Sequence, residues 1–416
     1  MTISDRRVIE ALRTGVPIRD VIDVLGSGQP QLEIQFKQLL DSKRQGLKVP
    51  SNGFVFFGGF GTGKSHVLEA FTKIAIDSNF VVSRATISNN LKLGTPKDVV
   101  KSLVANTQTK AHLENGLEQL MADALERQIN LDSLISWLST EIKLGKISSI
   151  YLGIAEQLPN ISYGTEAFEF IMDYLRGGSI APKLKVALGR RDLHTPAEKS
   201  RPAETSAFLT RLFISLGYSG WVVLFDELEL IRILASNSNR GKSYAELAHW
   251  MGYNDLRPTQ GLAVVGCMTA GYVGERISYS NPKGPNEIST IPDRMSANLN
   301  TSSLAASAKI GMQLLQQWDS QKDEKSLQLV KPSNEAVREI QAELIKIYEA
   351  AYQTSVSPIP IKDLSKSQDP MRVHIRRWIV SWDLERQGKK AELTDNRVEQ
   401  NFDVMNDDDD DDDIDD

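Results

Sequence analysis

With 416 residues, 41% of them hydrophobic and 25% charged, the chain has the composition of a soluble globular protein of two or three domains. No apolar run reaches the roughly 18 residues of a membrane span, and the charged start, MTISDRRVIEALRTG, lacks the apolar centre of a signal peptide. A single cysteine, Cys267, excludes an internal disulfide and points to a reducing cytoplasm, and the five scattered histidines form no metal cluster with it.

Residues 1–50 read as a helical arm. DRRVIEALRTG places Val8, Ile9 and Leu12 on one face and stops at Gly15. PIRDVIDVLG begins with Pro17, suited to a first helical turn, and QPQLEIQFKQLLDSKRQG follows. The arm leads into the first strand, so it either packs over a nucleotide base or is a helical decoration.

GFVFF (53–57) reads as a short buried strand and SHVLEAFTKIA (65–75) as an amphipathic helix. Between them Gly58, Gly59, Phe60, Gly61, Thr62, Gly63, Lys64 and Ser65 fit the phosphate loop G-x-x-x-x-G-K-[ST]. Glycines let the backbone turn its N–H groups toward one concave point, and the helix start adds unpaired donors and a positive dipole end. Lys64 supplies charge for the β- and γ-phosphates, Ser65 offers a hydroxyl to Mg²⁺, and His66 is counted with the nucleotide-contacting residues.

The ATPase core is expected over 51–330. FVVSRATIS (80–88) is its second strand, and a mostly helical insertion runs over 96–216. Within the insertion, residues 176–204 read as a loop with five cationic residues between Lys183 and Lys199. That loop is a solvated surface or a nucleic-acid contact.

GWVVLFDELEL (220–230) is an apolar run of strand length ending in Asp226 and Glu227, the pattern of a central parallel strand and a Walker B motif. Asp226 is expected to hold Mg²⁺ and Glu227 to orient and deprotonate the attacking water. GLAVVGCMTAGY (261–272) repeats the pattern, with Cys267 as plain core and Thr269 at the strand's polar end. This strand is expected between those bearing Lys64 and Asp226, where Thr269 contacts the γ-phosphate or water, or simply opens a loop.

SLQLV (326–330) is expected as the last strand. PSNEAVREIQAELIKIYEAAY (332–352) reads as a helix capped by Ser333 or Asn334, with Val337, Ile340, Leu344, Tyr348 and Ala351 on its apolar face. DPMRVHIRRWIVSWDLER (369–386) is a second amphipathic helix, and the two form a helical lid over 331–400. The tail, 401–416, is expected to be disordered. Nine aspartates lie within 407–416, and removing them from the net charge of −6 leaves +3 for the rest. The tail is a solubilising end or a nucleic-acid mimic that shields a basic surface.

Phosphate loop, Asp-Glu strand end, polar Thr269 and helical lid together resemble the AAA+ ATPases, an α/β fold with a central parallel sheet. DPMR resembles the sensor-2 arrangement of the initiator-like branch, which implies Arg372 near the γ-phosphate. More closely, RRVIEALRTGVPIRDVIDVLGSGQPQLEIQF, GGFGTGKSHVLEAF and DELELI resemble the BrxD-type ATP-binding proteins of BREX phage-defence systems. Asp226 lies 162 positions beyond Lys64, a longer separation than a compact AAA+ core has, which suits a family-specific insertion.

The resemblance implies a cytoplasmic, Mg²⁺-dependent ATPase that forms a homo-oligomer and acts with other defence proteins, a helicase-like one among the candidates, on double-stranded DNA. A cation from a neighbouring subunit often completes such sites: Arg294 in IPDRMS is the candidate, and Arg240 in SNSNRGKSY competes with it. Two alternatives stand beside this reading. One is a STAND-type nucleotide switch that barely hydrolyses ATP. The other is a DNA-loading ATPase of the replication-initiator or transposition-regulator kind.

Overall fold

Runs of aromatic and β-branched residues bury both faces of a strand and so favour the middle of a parallel sheet. In the computed structural model such runs form β1 (Gly53–Gly58), β2 (Val81–Thr86), β4 (Trp221–Asp226) and β5 (Leu262–Thr269), and a short β3 (Thr107–Gln108) lies at one edge. The structure describes residues 3–14, 19–47, 49–114, 116–127, 129–234, 236–253, 260–278, 286–360 and 371–389. The sheet order is β1-β5-β4-β2-β3, parallel throughout except for β3, which is antiparallel to β2. As expected, β5 lies between the strands that lead to Lys64 and Asp226.

SLQLV differs from expectation. It makes one parallel bridge, Phe57 to Gln328, with backbone bonds from Phe57 N to Leu327 O (2.8 Å) and from Leu329 N to Phe57 O (2.7 Å). The pairing ends there because the Gln29 side chain takes over the next peptide group. Its Nε2 donates to Val330 O (2.8 Å) and its Oε1 accepts from Val330 N (2.9 Å).

The arm forms α1 (Ile3–Thr14), α2 (Arg19–Leu25) and α3 (Pro30–Arg44), and α4 (Lys64–Asp77) follows the phosphate loop. Helix α3 packs on α4 through a stacked Phe36–Phe71 pair with ring centroids 4.2 Å apart. Between β2 and β4 the chain builds α5 (Pro96–Ala105), α6 (Gly116–Glu126), α7 (Asp132–Lys143), α8 (Ile150–Gln157), α9 (Glu166–Leu175), α10 (Ala181–Ala187) and α11 (Arg201–Ser215). The expected loop over 176–204 therefore holds a helix, α10, and the start of α11. Leu184 and Leu188, four apart, are both buried and give α10 an apolar face that residue-type counting hid behind the basic residues. Arg190 of this segment bonds Asp192 (2.9 Å) and Glu156 (3.1 Å).

Beyond β4 lie α12 (Asn237–Trp250), α13 (Glu287–Ala297), α14 (Ala305–Asp319), α15 (Asn334–Tyr352) and α16 (Met371–Arg386). Helices α12 and α14 cross closely at Gly311, where a Cβ would stand 2.1 Å from Tyr244 O. Ser333 caps α15, accepting from Ala336 N, and the expected face buries Val337, Leu344, Tyr348 and Ala351.

One large core joins sheet, insertion and α12–α14, and a second joins the arm to the lid helices: Ile9 packs with Leu344, Tyr348, Ile375, Trp378 and Trp382. Polar bonds tie the same pieces. Arg13 bonds Asp383 (2.8 Å), Tyr348 OH donates to Asp383 (2.8 Å), and Arg6 Nε donates to Ala351 O (3.2 Å). Among the described residues no helix is long and apolar enough to cross a membrane. Pro17, the Asp369-Pro370 start of the lid motif and the acidic tail over 401–416 lie outside the described residues.

Lys43 of α3 is 1% exposed and donates to Asn52 Oδ1 (3.1 Å), whose Nδ2 donates to Trp250 O (3.0 Å). Burial pushes the Lys43 ammonium down from 10.5 to about 8. The unfolded chain therefore holds this proton over a window in which the folded chain has released it, and folding gains stability as pH rises from about 8 to 10.5. Relative to Lys43→Met, which has no such proton, the native protein should gain on the order of 3 kcal/mol across that window. Denaturant melts of both proteins at pH 7.5 and 10 check this: a constant difference between them would refute it.

Candidate functional site

Strand β1 ends at Gly58, where a Cβ would meet Thr62 Oγ1 at 2.7 Å, so the loop closes over the strand end only with glycine there. Gly61 and Gly63 have φ of 73° and 99°, the left-handed region that costs glycine least. Thr62 fastens the turn, its hydroxyl donating to Gly59 O (2.8 Å). Gly63 then sits at the N-cap of α4 with no side chain to use up the first-turn N–H groups.

Lys64 points back under this loop and is 7% exposed. Its Nζ lies 3.2 Å from Glu229 Oε1, 3.4 Å from Gly58 O and 3.5 Å from Thr269 Oγ1. Register explains the meeting. Gly58 pairs with Thr269 across β1 and β5, so the hydroxyl at the end of one strand stands level with the loop at the end of the other. Thr269 also donates a short hydrogen bond to Glu229.

Asp226 ends β4 level with Thr86 of β2. It forms a short ion pair with Arg84, and its Oδ1 accepts from the Cys267 thiol (3.0 Å) and the Glu227 N–H (3.0 Å). Burial pushes the Asp226 carboxyl up, but the Arg84 guanidinium and the bonds from Cys267 and Ser65 outweigh it, so the net shift is downward. Glu227 goes the other way. Burial, then Glu229 and Asp226, push its carboxyl up against the opposing pull of Lys64. Its backbone sits at φ 59°, a left-handed conformation uncommon for a non-glycine residue.

A cavity of about 340 Å³ opens beside these groups, a size within the usual range for small-molecule sites. Phosphate-loop residues Phe60 to His66 and Glu227 line one side. Leu12, Val21 and Leu25 of the arm with Ile340, Met371 and Ile375 of the lid supply an apolar side. His66 Nε2 lies 2.7 Å from Gly26 O, so the loop helix is bonded to the arm. Arg372 also lines the cavity, its guanidinium 5.6 Å over the ring of Phe60, which is 76% exposed.

Lys64, Ser65, Asp226, Glu227, Thr269 and Arg372 are thus gathered at one end of the sheet. Arg294, exposed on α13, does not line the cavity. Arg240 is engaged inside its own subunit, with Nε 3.0 Å from Glu287 and Nη1 donating to Leu234 O (2.7 Å).

Two residues escaped the sequence reading. Glu229 is the third acid of DELEL, brought back to Lys64 by the 3₁₀ turn Leu228–Ile233. Arg84 is the lone charge in the strand FVVSRATIS, and a charge inside an otherwise apolar strand was a signal for a buried partner.

No curated protein and no solved structure matches the chain significantly. Residues 2–172 match the model of a family described as BREX system ATP-binding protein BrxC/D. The matched stretch takes in the arm, the phosphate loop and part of the insertion, and the likeness is that of this stretch.

Proposed function

We propose that this chain binds ATP with the phosphates on the loop over 58–65 and hydrolyses it as an AAA+-like component of a BREX-type anti-phage system. It acts with partner proteins in the cytoplasm, with double-stranded DNA as the candidate substrate. The observation that carries the reading is the convergence of Lys64, Thr269, Asp226 and Glu227 beside one cavity that the phosphate loop also lines.

Phosphoryl transfer needs positioning and charge more than covalent help from the protein. In this reading Lys64 and the loop N–H groups hold the β- and γ-phosphates, and Arg372 approaches from the lid. Glu227, whose environment favours proton uptake, orients the water and accepts its proton. The residues present fit Mg²⁺: Ser65, at the end of the loop, is close enough to the Asp226 carboxylate to favour its anion, and Arg84 favours the same charged form. Among the described residues no group of three His, Cys, Asp or Glu is placed to hold a metal ion. Such an ion would neutralise phosphate charge, and Ser65 and Asp226 are the residues that would hold it.

Arg294 is the candidate finger supplied to a neighbouring subunit, since its exposure leaves it free to reach across an interface. The buried Lys64–Glu229 pair favours a second reading, a slow nucleotide switch, which single-turnover hydrolysis by the purified protein separates from the first.

Lys64→Ala should abolish nucleotide binding, whereas Glu227→Gln should keep binding and lose turnover by roughly 10²-fold or more, because Glu227 acts only in the transition state. Calorimetric titration and phosphate release measure the two, and full turnover in Glu227→Gln would remove it from the chemistry. Sedimentation with and without ATP and Mg²⁺ should give a larger mass with nucleotide, and Arg294→Ala should keep that mass while losing hydrolysis. Hydrolysis rates with and without duplex DNA test the DNA assignment, with stimulation expected.

A further inference from the structure

We infer that Glu229 is a positioning residue that restrains Lys64, sharing the lysine with bound phosphate and so weakening the hold on nucleotide. The inference rests on the reading of residues 58–65 as a phosphate loop, and it adds a residue that tunes that loop.

Three observations carry it. The Lys64 ammonium is already engaged on three sides: it is ion-paired with Glu229 Oε1 at 3.2 Å and donates long hydrogen bonds to Gly58 O at 3.4 Å and Thr269 Oγ1 at 3.5 Å. A phosphate oxygen at this nitrogen therefore shares or replaces one of them. Next, the pair is largely buried. The Lys64 and Glu229 side chains are 7% and 5% exposed, so water and salt screen the anion from an incoming phosphate only weakly. Finally, Glu229 Oε2 is buried with no hydrogen-bond partner among the described residues.

The neighbouring acids stand differently. Asp226 has its charge offset by Arg84, and Glu227 lines the open cavity. Glu229 is the acid that bonds the phosphate-loop lysine itself, and through the same oxygen it holds Thr269. Removing its charge raises the positive potential that the phosphates meet, while the amide of Gln keeps an oxygen for Lys64 and Thr269.

The test is calorimetric titration of ADP and ATP into the full chain, its Glu229→Gln and Glu229→Asp variants, and Lys64→Ala as reference. Glu229→Gln should bind ADP about tenfold more tightly, the sense expected when one like charge is removed from a weakly screened site. Glu229→Asp keeps the charge and should stay within about twofold of the native protein. A merely structural Glu229 would give unchanged or weaker binding in Glu229→Gln with a lower melting temperature, and that result overturns the inference. Equal tightening in both variants also overturns it, because the charge would then not be the cause. If Lys64→Ala binds ADP as the native protein does, the phosphate-loop reading fails and the inference with it. Native-like affinity in Glu229→Gln beside lost binding in Lys64→Ala sinks the inference alone.

Discussion

Parallel register between β1, β5 and β4 is the constraint on which the site depends. In a parallel sheet the strand ends that carry ligands all face one way, and hydrogen bonding fixes how far each projects. Phe57 opposite Met268 sets Gly58 opposite Thr269, and the pairing of β4 with β5 brings Asp226 to the same edge. A slip of one residue in β5 would turn Thr269 to the other face and put Met268 or Ala270 beside Lys64. The apolar side chains of these strands, buried on both faces, hold the register by having no other place to go.

Two adjacent carboxylates acquire opposite character on that frame. Asp226 points inward, where a guanidinium, a thiol and a backbone N–H favour its anion. Glu227 leaves the strand through a left-handed turn that aims it at the cavity, close to two other acids, and its proton is harder to remove. Pairs of acids pushed apart in this way can divide the tasks of holding charge and moving a proton. The strain at Glu227 is the local cost of separating them, and the surrounding sheet and 3₁₀ turn over-determine it.

The other wall of the cavity is assembled from the two ends of the described chain. Helix α1 has little to bury alone, and α15 and α16 expose a stripe of large side chains, so Ile9, Tyr348, Trp378 and Trp382 make one core. This joint brings Leu12 and Leu25 opposite Ile340 and Ile375 above the phosphate loop. His66 to Gly26 and Gln29 to Val330 then anchor the joined unit to the sheet. A ligand that filled the cavity would touch the phosphate loop on one side and the arm and helices α15 and α16 on the other.

The local signals were legible because local physics makes them. Glycines that tolerate left-handed turns, a lysine at a helix start, an apolar strand closing on Asp-Glu and the 3.6-residue period of α15 each depend on neighbours in sequence. They pointed to a glycine-rich turn over 58–65, to a strand ending in Asp226 and Glu227, to helices α15 and α16, and to the place of β5. Leu184 and Leu188 carry the same helical spacing, but the basic residues around them led 176–204 to be read as loop. What the sequence could not supply were contacts made by chain folding. Lys64 meets Thr269 across 205 positions, Arg84 meets Asp226 across 142, and Arg13 meets Asp383 across 370. Those distances are set by strand order and helix packing, which no window of neighbouring residues contains. Only the tertiary structure could therefore decide that the third acid of DELEL faces the loop lysine, that Arg84 guards the strand-end aspartate, and that arm and lid form one wall.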